Sequence, residues 1–483
     1  MLNPPYVDDF CRSARWATKS RGRVQRHPDW MLIASAVLEQ AGHEVAFVDG
    51  AALNLKREDV RRKLEQFHPE MVVLHTTTPS IYNDVSYAGL AREMGDPLTV
   101  LIGPHGTAVP EDTFSLSDGM VDGIARGEYD YTLRDLADGK PLEETEGLCY
   151  QRDYEVVTTP DRAPLDVNEL PFPAWHHIQP EWYRDAGKRF PFLTLLSGRG
   201  CFGRCTFCRD VPLMGGHGLR MRDPELVVDE MAHDLELFPQ VREIMFETDT
   251  FAASPGHARG VCEELLRRGL KLTWSCNVRV DMDLSLLPLM KRAGCRMLMT
   301  GFEFGTQAAL DAVKKGITLE QSRAFAERAH DLGFVIHGCF MIGAPGETRE
   351  SARATIDFAR SLPLDTVQFS GICVYPGTQM YDWAKEQGYL VPKDWREWVS
   401  EKYEQVTLLD YPQLRKEEMD ALIDEGLRAF YLRPRQMMRM VWAIRSWSDV
   451  RRKLFGIRSF VDALVGSYRR DAEGAENTLL SAG

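Results

Sequence analysis

The chain has 483 residues, 44% of them hydrophobic and 27% charged, with a formal net charge of −13. That is ordinary globular composition, and it excludes an overall basic footprint for nucleic acid. No apolar run approaches the ~18 residues that cross a bilayer, and the start, Met1-Leu2-Asn3-Pro4-Pro5, lacks the basic and apolar regions of a signal peptide, so a cytoplasmic location is expected.

Residues 1–140 alternate strand-like and helix-like runs. Trp30–Ala41 has helical periodicity, and Glu58–Phe67 reads as an amphipathic helix. Glu44–Val48, Met71–Leu74 and Leu98–Ile102 are short apolar strands. Each is followed by a loop rich in Thr, Gly, Pro or Ser, which predicts a Rossmann-like, doubly wound parallel sheet. Ligands bind such a sheet at the carboxyl ends of its strands, here the loops Thr76–Ser80 and Gly103–Thr107. Residues 141–185 carry Pro141, Pro160, Pro164, Pro171, Pro173 and Pro180 and read as a connector.

A second α/β series fills residues 186–388. Its strands are expected at Phe192–Leu196, Glu243–Phe246, Leu272–Cys276, Met297–Thr300, Val335–Met341 and Thr366–Ile372, with helical runs between them. Six repeats are too few for a closed eight-fold barrel, so a partial (β/α)6 TIM-type barrel is expected. Residues 389–483 read as a mostly helical C-terminal region, with a clear helix over Glu417–Leu432. The tail from Arg433 to Arg470 has ten Arg or Lys against two Asp, interleaved with Met, Trp and Phe.

Ten cysteines in a long chain without a secretory signal do not suggest a disulfide framework. Most sit in apolar stretches and read as core residues. Three cluster in Ser197-Gly198-Arg199-Gly200-Cys201-Phe202-Gly203-Arg204-Cys205-Thr206-Phe207-Cys208-Arg209, directly after the first strand of the second series. The spacing C-x3-C-x2-C puts Cys201, Cys205 and Cys208 on one tight loop, suited to a 4Fe–4S cluster. Gly198, Gly200 and Gly203 permit the turns, and Arg199, Arg204 and Arg209 offset the cluster's negative charge. Three ligands leave one iron open for a further ligand. The competing metal is structural zinc, for which His217 would be the fourth ligand.

With these motifs the chain resembles the radical S-adenosylmethionine (SAM) superfamily, in the branch with an N-terminal cobalamin (B12)-binding-like domain. The resemblance runs through Gly103-Pro104-His105, Arg126-Gly127-Glu128-Tyr129, the cysteine loop, Phe246–Phe251, Gly301-Phe302-Glu303, Gly343-Ala344-Pro345-Gly346-Glu347 and Tyr375-Pro376-Gly377-Thr378. Within the branch it is most similar to the HpnJ-type hopanoid-biosynthesis radical SAM proteins, with the magnesium-protoporphyrin oxidative cyclases more distant. The resemblance implies that the open iron binds SAM through its amino and carboxylate groups, and that an electron from the cluster cleaves SAM to a 5′-deoxyadenosyl radical.

The same resemblance assigns site residues. Glu247 and Asp249 fall where the family holds the SAM amino group, a charge-assisted contact. Glu303 is placed at the SAM ribose or methionyl portion, with Asn277 and Arg279 nearby, Arg279 facing the SAM carboxylate. Phe207 in the cysteine loop joins the cofactor contacts, and Gly343 lies in the adenine-binding region. For each of these, an ordinary strand end or turn is the alternative.

The D-x-H-x-x-G signature that ligates cobalt in some cobalamin enzymes is absent. Two readings therefore stand: bound cobalamin, or a cobalamin-type fold that now shapes the substrate pocket. The insert Cys11–Trp30, with six Arg and Lys, is positioned to close over an anionic or polar substrate. The expected reaction is hydrogen abstraction from an unactivated carbon of a lipid-linked or sugar substrate, followed by rearrangement or C–C bond formation. The alternative is cobalamin-dependent methylation. Outside these lie an iron–sulfur electron carrier and a zinc-stabilised binding protein. An external electron donor of flavodoxin or ferredoxin type is expected, no nucleic acid, and peripheral membrane contact through residues 433–470.

Overall fold

The computed structural model describes residues 1–13, 16–20 and 22–442. Its first half is built from β1 (Leu2–Asn3), the paired β2 (Cys11–Arg12) and β3 (Ala17–Thr18), β4 (Val48–Asp49), β5 (Met71–His75), β6 (Leu98–Ile102), β7 (Gly123–Ala125), β8 (Leu148–Arg152) and β9 (Glu155–Thr158). Seven of these form one sheet in the order β4-β1-β5-β6-β7-β8-β9. The first five strands are parallel and the last two antiparallel. Successive strand residues point to opposite faces, and both faces are buried here. Val72, Leu74 and Leu101 pack on one side, while Val73, Val100 and Ile102 pack on the other. The doubly wound reading of this region is therefore correct.

Two details differ from expectation. The sheet runs past residue 140, because β8 and β9 form a hairpin inside the Pro-rich stretch. Leu148, Cys149 and Tyr150 are buried and pair with β7, while the prolines flank this hairpin and do not interrupt it. Glu44–Phe47 is not a strand, since β1 offers only Leu2 and Asn3 as partners, to Val48 and Asp49.

The second half contains β10 (Phe192–Leu195), the two-stranded ribbon of β11 (Gly198–Arg199) and β12 (Arg220–Met221), then β13 (Glu243–Phe246), β14 (Thr273–Val278), β15 (Cys295–Glu303), β16 (Val335–Ile342) and β17 (Thr366–Gly371). Six of them form a parallel sheet in chain order, β10-β13-β14-β15-β16-β17. This is the partial (β/α)6 barrel that six strand–helix repeats predict. Leu193, Ile244, Trp274 and Leu298 pack outward into the large core beneath the helices. Thr194, Met245, Ser275 and Met297, in register across four strands, occupy the other face.

The insert before the helix Asp29–Gln40 joins the two halves. Gln25 pairs with Arg184, and Arg26 reaches Asp185 at 2.9 Å and Glu247 at 3.8 Å. Residues 389–415, the start of the region expected to be mostly helical, hold isolated bridges and one 3-10 turn, Trp395–Trp398. The helix Lys416–Tyr431 follows and packs on β17, where Tyr431 Oη donates to the Val367 carbonyl at 2.8 Å. The basic tail is described only as far as Trp442, and the rest of 433–470 lies outside the described residues. Among the described residues, no helix is long and apolar enough to cross a membrane.

Candidate active site

The cysteine loop hangs from the β11–β12 ribbon at the end of β10. Its root is pinned by Ser197, whose backbone N–H donates to Thr248 Oγ1 at 2.8 Å and so ties the ends of the first two barrel strands together. Gly200 has φ +85°, and a Cβ there would overlap the Gly218 carbonyl oxygen, so glycine alone closes the loop. Cys201 N–H donates to Gly216 O at 3.2 Å, and Thr206 N–H to Val313 O at 3.0 Å. All three cysteines stay half-exposed. A Cβ on Gly203 would lie 3.3 Å from Cys201 Sγ, 3.9 Å from Cys205 Sγ and 3.4 Å from Arg279 Nη1, so two sulfurs and a guanidinium converge on that point.

The donor set separates a cluster from zinc. Thiolates on one zinc ion sit about 2.3 Å from it, hence about 4 Å from each other. The three sulfurs do not form a group with all ligand atoms within 4.8 Å of one another. At least one pair of the sulfurs is therefore wider apart than ligands on one zinc ion. His217, the expected fourth zinc ligand, is exposed on the loop. Burial pushes the Cys208 thiol up to about 12 and raises Cys201 as well, so both need a metal's charge to become thiolates.

The expected SAM contacts fall into three groups. Glu247 and Asp249 follow β13 and line a crevice with Arg26, Asp210 and Arg199. Asn277 braces them from β14. Its Nδ2 donates to Thr248 O at 3.2 Å and its carbonyl accepts from Phe251 N–H at 3.0 Å, so it holds the loop that carries the two carboxylates. The second group lies beside the cysteines. Arg279 is held by both oxygens of Asp281, at 2.9 and 2.8 Å, and by Lys315 O at 3.0 Å. Glu303, at φ +63°, is ion-paired to Lys315 Nζ at 2.6 Å. Burial works against the Lys315 charge, but Glu303 and Cys205 outweigh it and raise the Lys315 pKa. Gly343 forms a third, separate point at φ +110°. Phe207 packs partly buried against the barrel core.

Residues that the sequence did not single out complete the site. Lys315 gives no signal beyond an ordinary Lys-Lys-Gly turn. Arg209, noted only for its charge, stacks over Tyr375 at 4.5 Å. The motif Arg126–Tyr129 acquires a physical role. Asp130 takes both amino groups of Arg199, at 2.7 and 3.1 Å, and Glu128 takes both of Arg220, at 2.7 Å each. The first domain thus grips both strands of the ribbon that bears the cysteine loop.

A narrow crevice of about 60 Å³, partly open to solvent, lies between the halves. His75, Gly103 and Pro104 form its first-domain wall, and Gly198, Arg199, Glu247 and Asp249 form its barrel wall. Gly103 has φ +107°, and a Cβ there would lie 2.6 Å from Thr76 O and 3.1 Å from the His75 ring, so glycine lets the two strand ends pack closely. His75 Nδ1 is buried without a hydrogen-bond partner. An orphaned buried nitrogen at these strand ends fits a polar group of a bound ligand.

Residues 195–359 match the radical SAM superfamily, and residues 23–137 match the B12 binding domain. An uncharacterized methyltransferase of Pyrococcus horikoshii is 30% identical over 418 residues, covering 85% of this chain and 88% of the relative. An anaerobic magnesium-protoporphyrin IX monomethyl ester cyclase of Rubrivivax gelatinosus is 29% identical over 374 residues, 73% of this chain and 65% of that protein. The structure of the radical SAM methyltransferase TsrM from Kitasatospora setae, with cobalamin and a [4Fe–4S] cluster bound, has the same fold, at TM-score 0.68 and 16% identity over 91% of this chain and 97% of that one. The chain is an enzyme of the radical SAM superfamily, in the group that carries a B12-binding domain and works with a 4Fe–4S cluster, SAM and cobalamin.

Proposed function

We propose that the enzyme is a cobalamin-dependent radical SAM methyltransferase. This places methyl transfer ahead of the rearrangement or C–C bond formation that the hopanoid-type resemblance implies. One observation carries the reading: a single crevice is walled by the strand ends of the B12-binding domain and by the carboxylates beside the cysteine loop. The methyltransferase relative from Pyrococcus horikoshii, matched over most of both chains, supports the same reading.

When bound, the cluster and SAM supply a 5′-deoxyadenosyl radical and cobalamin supplies a transferable methyl group. Cys201, Cys205 and Cys208 hold the cluster. Glu247 and Asp249 accept hydrogen bonds from the SAM ammonium, and Asn277 fixes their loop. Glu303, ion-paired to Lys315, would accept from the SAM hydroxyls, and Arg279 would face the carboxylate. His75, Gly103 and the Thr76–Ser80 loop hold cobalamin. Arg26, Asp185 and Lys188 bring charge to the substrate side, which suits a polar or polyol substrate. Lys188 is fully buried, with Ser275 Oγ at 3.1 Å and Met299 Sδ at 3.0 Å, and burial lowers its pKa to about 8. A lipid-linked polyol would satisfy both this polarity and the basic tail, which would rest on a membrane surface. A flavodoxin- or ferredoxin-type protein would deliver the electron.

Anaerobic reconstitution tests the reading. The protein should hold about four irons and one extractable corrinoid per chain, and transfer label from methyl-labelled SAM to a product. A corrinoid-free protein that still forms 5′-deoxyadenosine would sink methyl transfer and return hydrogen abstraction followed by rearrangement to first place. Liposome sedimentation of the full chain and of a chain ending at residue 432 tests the membrane contact. Equal sedimentation would end that idea.

A further inference from the structure

The helix Asp29–Gln40 of the first domain ends beside the connector turn Trp175–His177. Glu39, in the last turn of the helix, meets two adjacent histidines there. His177 Nε2 lies 2.7 Å and His176 Nε2 3.0 Å from the same Glu39 Oε1. The imidazoles lie side by side with centroids 4.2 Å apart, and Phe47 stacks on His177 with its centroid at 6.0 Å. Among the described residues, Glu39, His176 and His177 are the trio of His, Cys, Asp or Glu whose ligand atoms all lie within 4.8 Å of one another.

Two imidazole nitrogens and a carboxylate oxygen at this spacing suit one borderline divalent cation. Zinc binds such ligands at about 2.0–2.2 Å and takes water in the fourth position. Without a cation, each imidazole Nε2–H donates to Glu39 Oε1 at these distances, and a bound cation would take the place of the two protons. Phe47 backs His177, and Trp175, next to His176 in the chain, is fully buried in the barrel core. The site is therefore rooted in both halves of the molecule.

We propose that Glu39, His176 and His177 bind one zinc-class divalent cation, which fastens the first domain to the connector leading into β10. The site shares no residue with the cysteine loop or the crevice, and it stands whatever reaction the enzyme performs.

The test uses the full-length protein with its cluster already reconstituted, so that the cysteines are occupied. After incubation with zinc chloride and desalting, zinc and iron are measured together. One zinc per chain is expected in addition to the iron, with a rise of several degrees in Tm. His176→Ala and Glu39→Gln should each lose the zinc and the Tm rise at unchanged iron content. His176 is 58% exposed, so its removal leaves the fold intact. Failure of the wild type to retain zinc, or full retention by both variants, overturns the proposal.

Discussion

Lys315 is the partner that makes a buried Glu303 tolerable. Their side chains are 9% and 10% exposed, and the Nζ–Oε1 distance is 2.6 Å. Removing one member of such a pair strands the other charge, at a cost of about 3–5 kcal/mol. Lys315→Met should therefore leave iron content unchanged while weakening SAM binding at least tenfold, as equilibrium dialysis would show. Unchanged SAM affinity would remove Glu303 from the cofactor contacts. Asp29 presents the opposite case, a buried carboxyl for which the nearby Arg26 does not offset burial. Burial raises its pKa from 3.8 to about 8, and Thr194 Oγ1 donates to it across the crevice wall. Because the folded state keeps this proton and the unfolded state loses it near pH 4, stability falls as pH rises from about 4 to 8 and levels off above that. A change of a few kcal/mol is expected from the size of the shift. Asp29→Asn should flatten the profile, so that its urea midpoint, relative to wild type, is higher at pH 8 than at pH 5. Parallel profiles for the two proteins would show that Asp29 is ionised in the fold.

The turn Gly343–Glu347 shows how far a motif can be read and where reading stops. Its Gly-Ala-Pro-Gly-Glu sequence announces a tight turn after a strand, and Gly343 at φ +110° needs glycine. The devices that hold the turn are less visible. Glu347 accepts the backbone N–H of Gly343 at 2.5 Å and of Ala344 at 3.1 Å, and burial raises its pKa to about 7. Tyr411, 68 residues later, donates to the Gly343 carbonyl at 2.8 Å. Nothing local marks that contact, because it depends on how residues 389–415 return over the barrel. The same segment is the non-helical start of a region read as mostly helical. Its aromatic residues are spaced for tertiary contacts: Trp395 Nε1 donates to Asp112 at 2.6 Å, and Tyr82 Oη donates to Asp394 at 2.8 Å. The barrel strands, by contrast, were legible within a few residues, since each is an apolar run between a helix and a turn. Tyr411→Phe deletes one hydrogen bond of about 1 kcal/mol and little else. SAM affinity should drop about fivefold with iron retained. An unaltered affinity would mean that the turn does not contact SAM.

At the scale of the whole molecule, the first domain and the barrel are joined at the root of the cysteine loop. Arg199 is 2% exposed and Asp130 fully buried, their bond is bidentate, and the guanidinium lies 3.9 Å over the Trp30 ring. Arg220 and Glu128 repeat the arrangement on the neighbouring strand of the ribbon. The cysteine spacing was plain in the sequence, but this clamp was not, because its halves lie 69 and 92 residues apart. It couples two functions: domain closure, which shapes the crevice, and loop geometry, which sets the cluster. Asp130→Asn keeps the size of the side chain but removes the charge facing a buried guanidinium, which should cost several kcal/mol locally. The loss falls on the ribbon and not on the SAM carboxylates. Iron should therefore leave the reconstituted variant several-fold faster under chelator, while SAM binds the remaining clustered fraction with nearly native affinity. Glu128→Gln, at the more open pair, should act in the same direction more weakly. If chelator removed iron from both variants at the wild-type rate, the clamp would be a domain contact alone and the cluster loop would hold its shape without it.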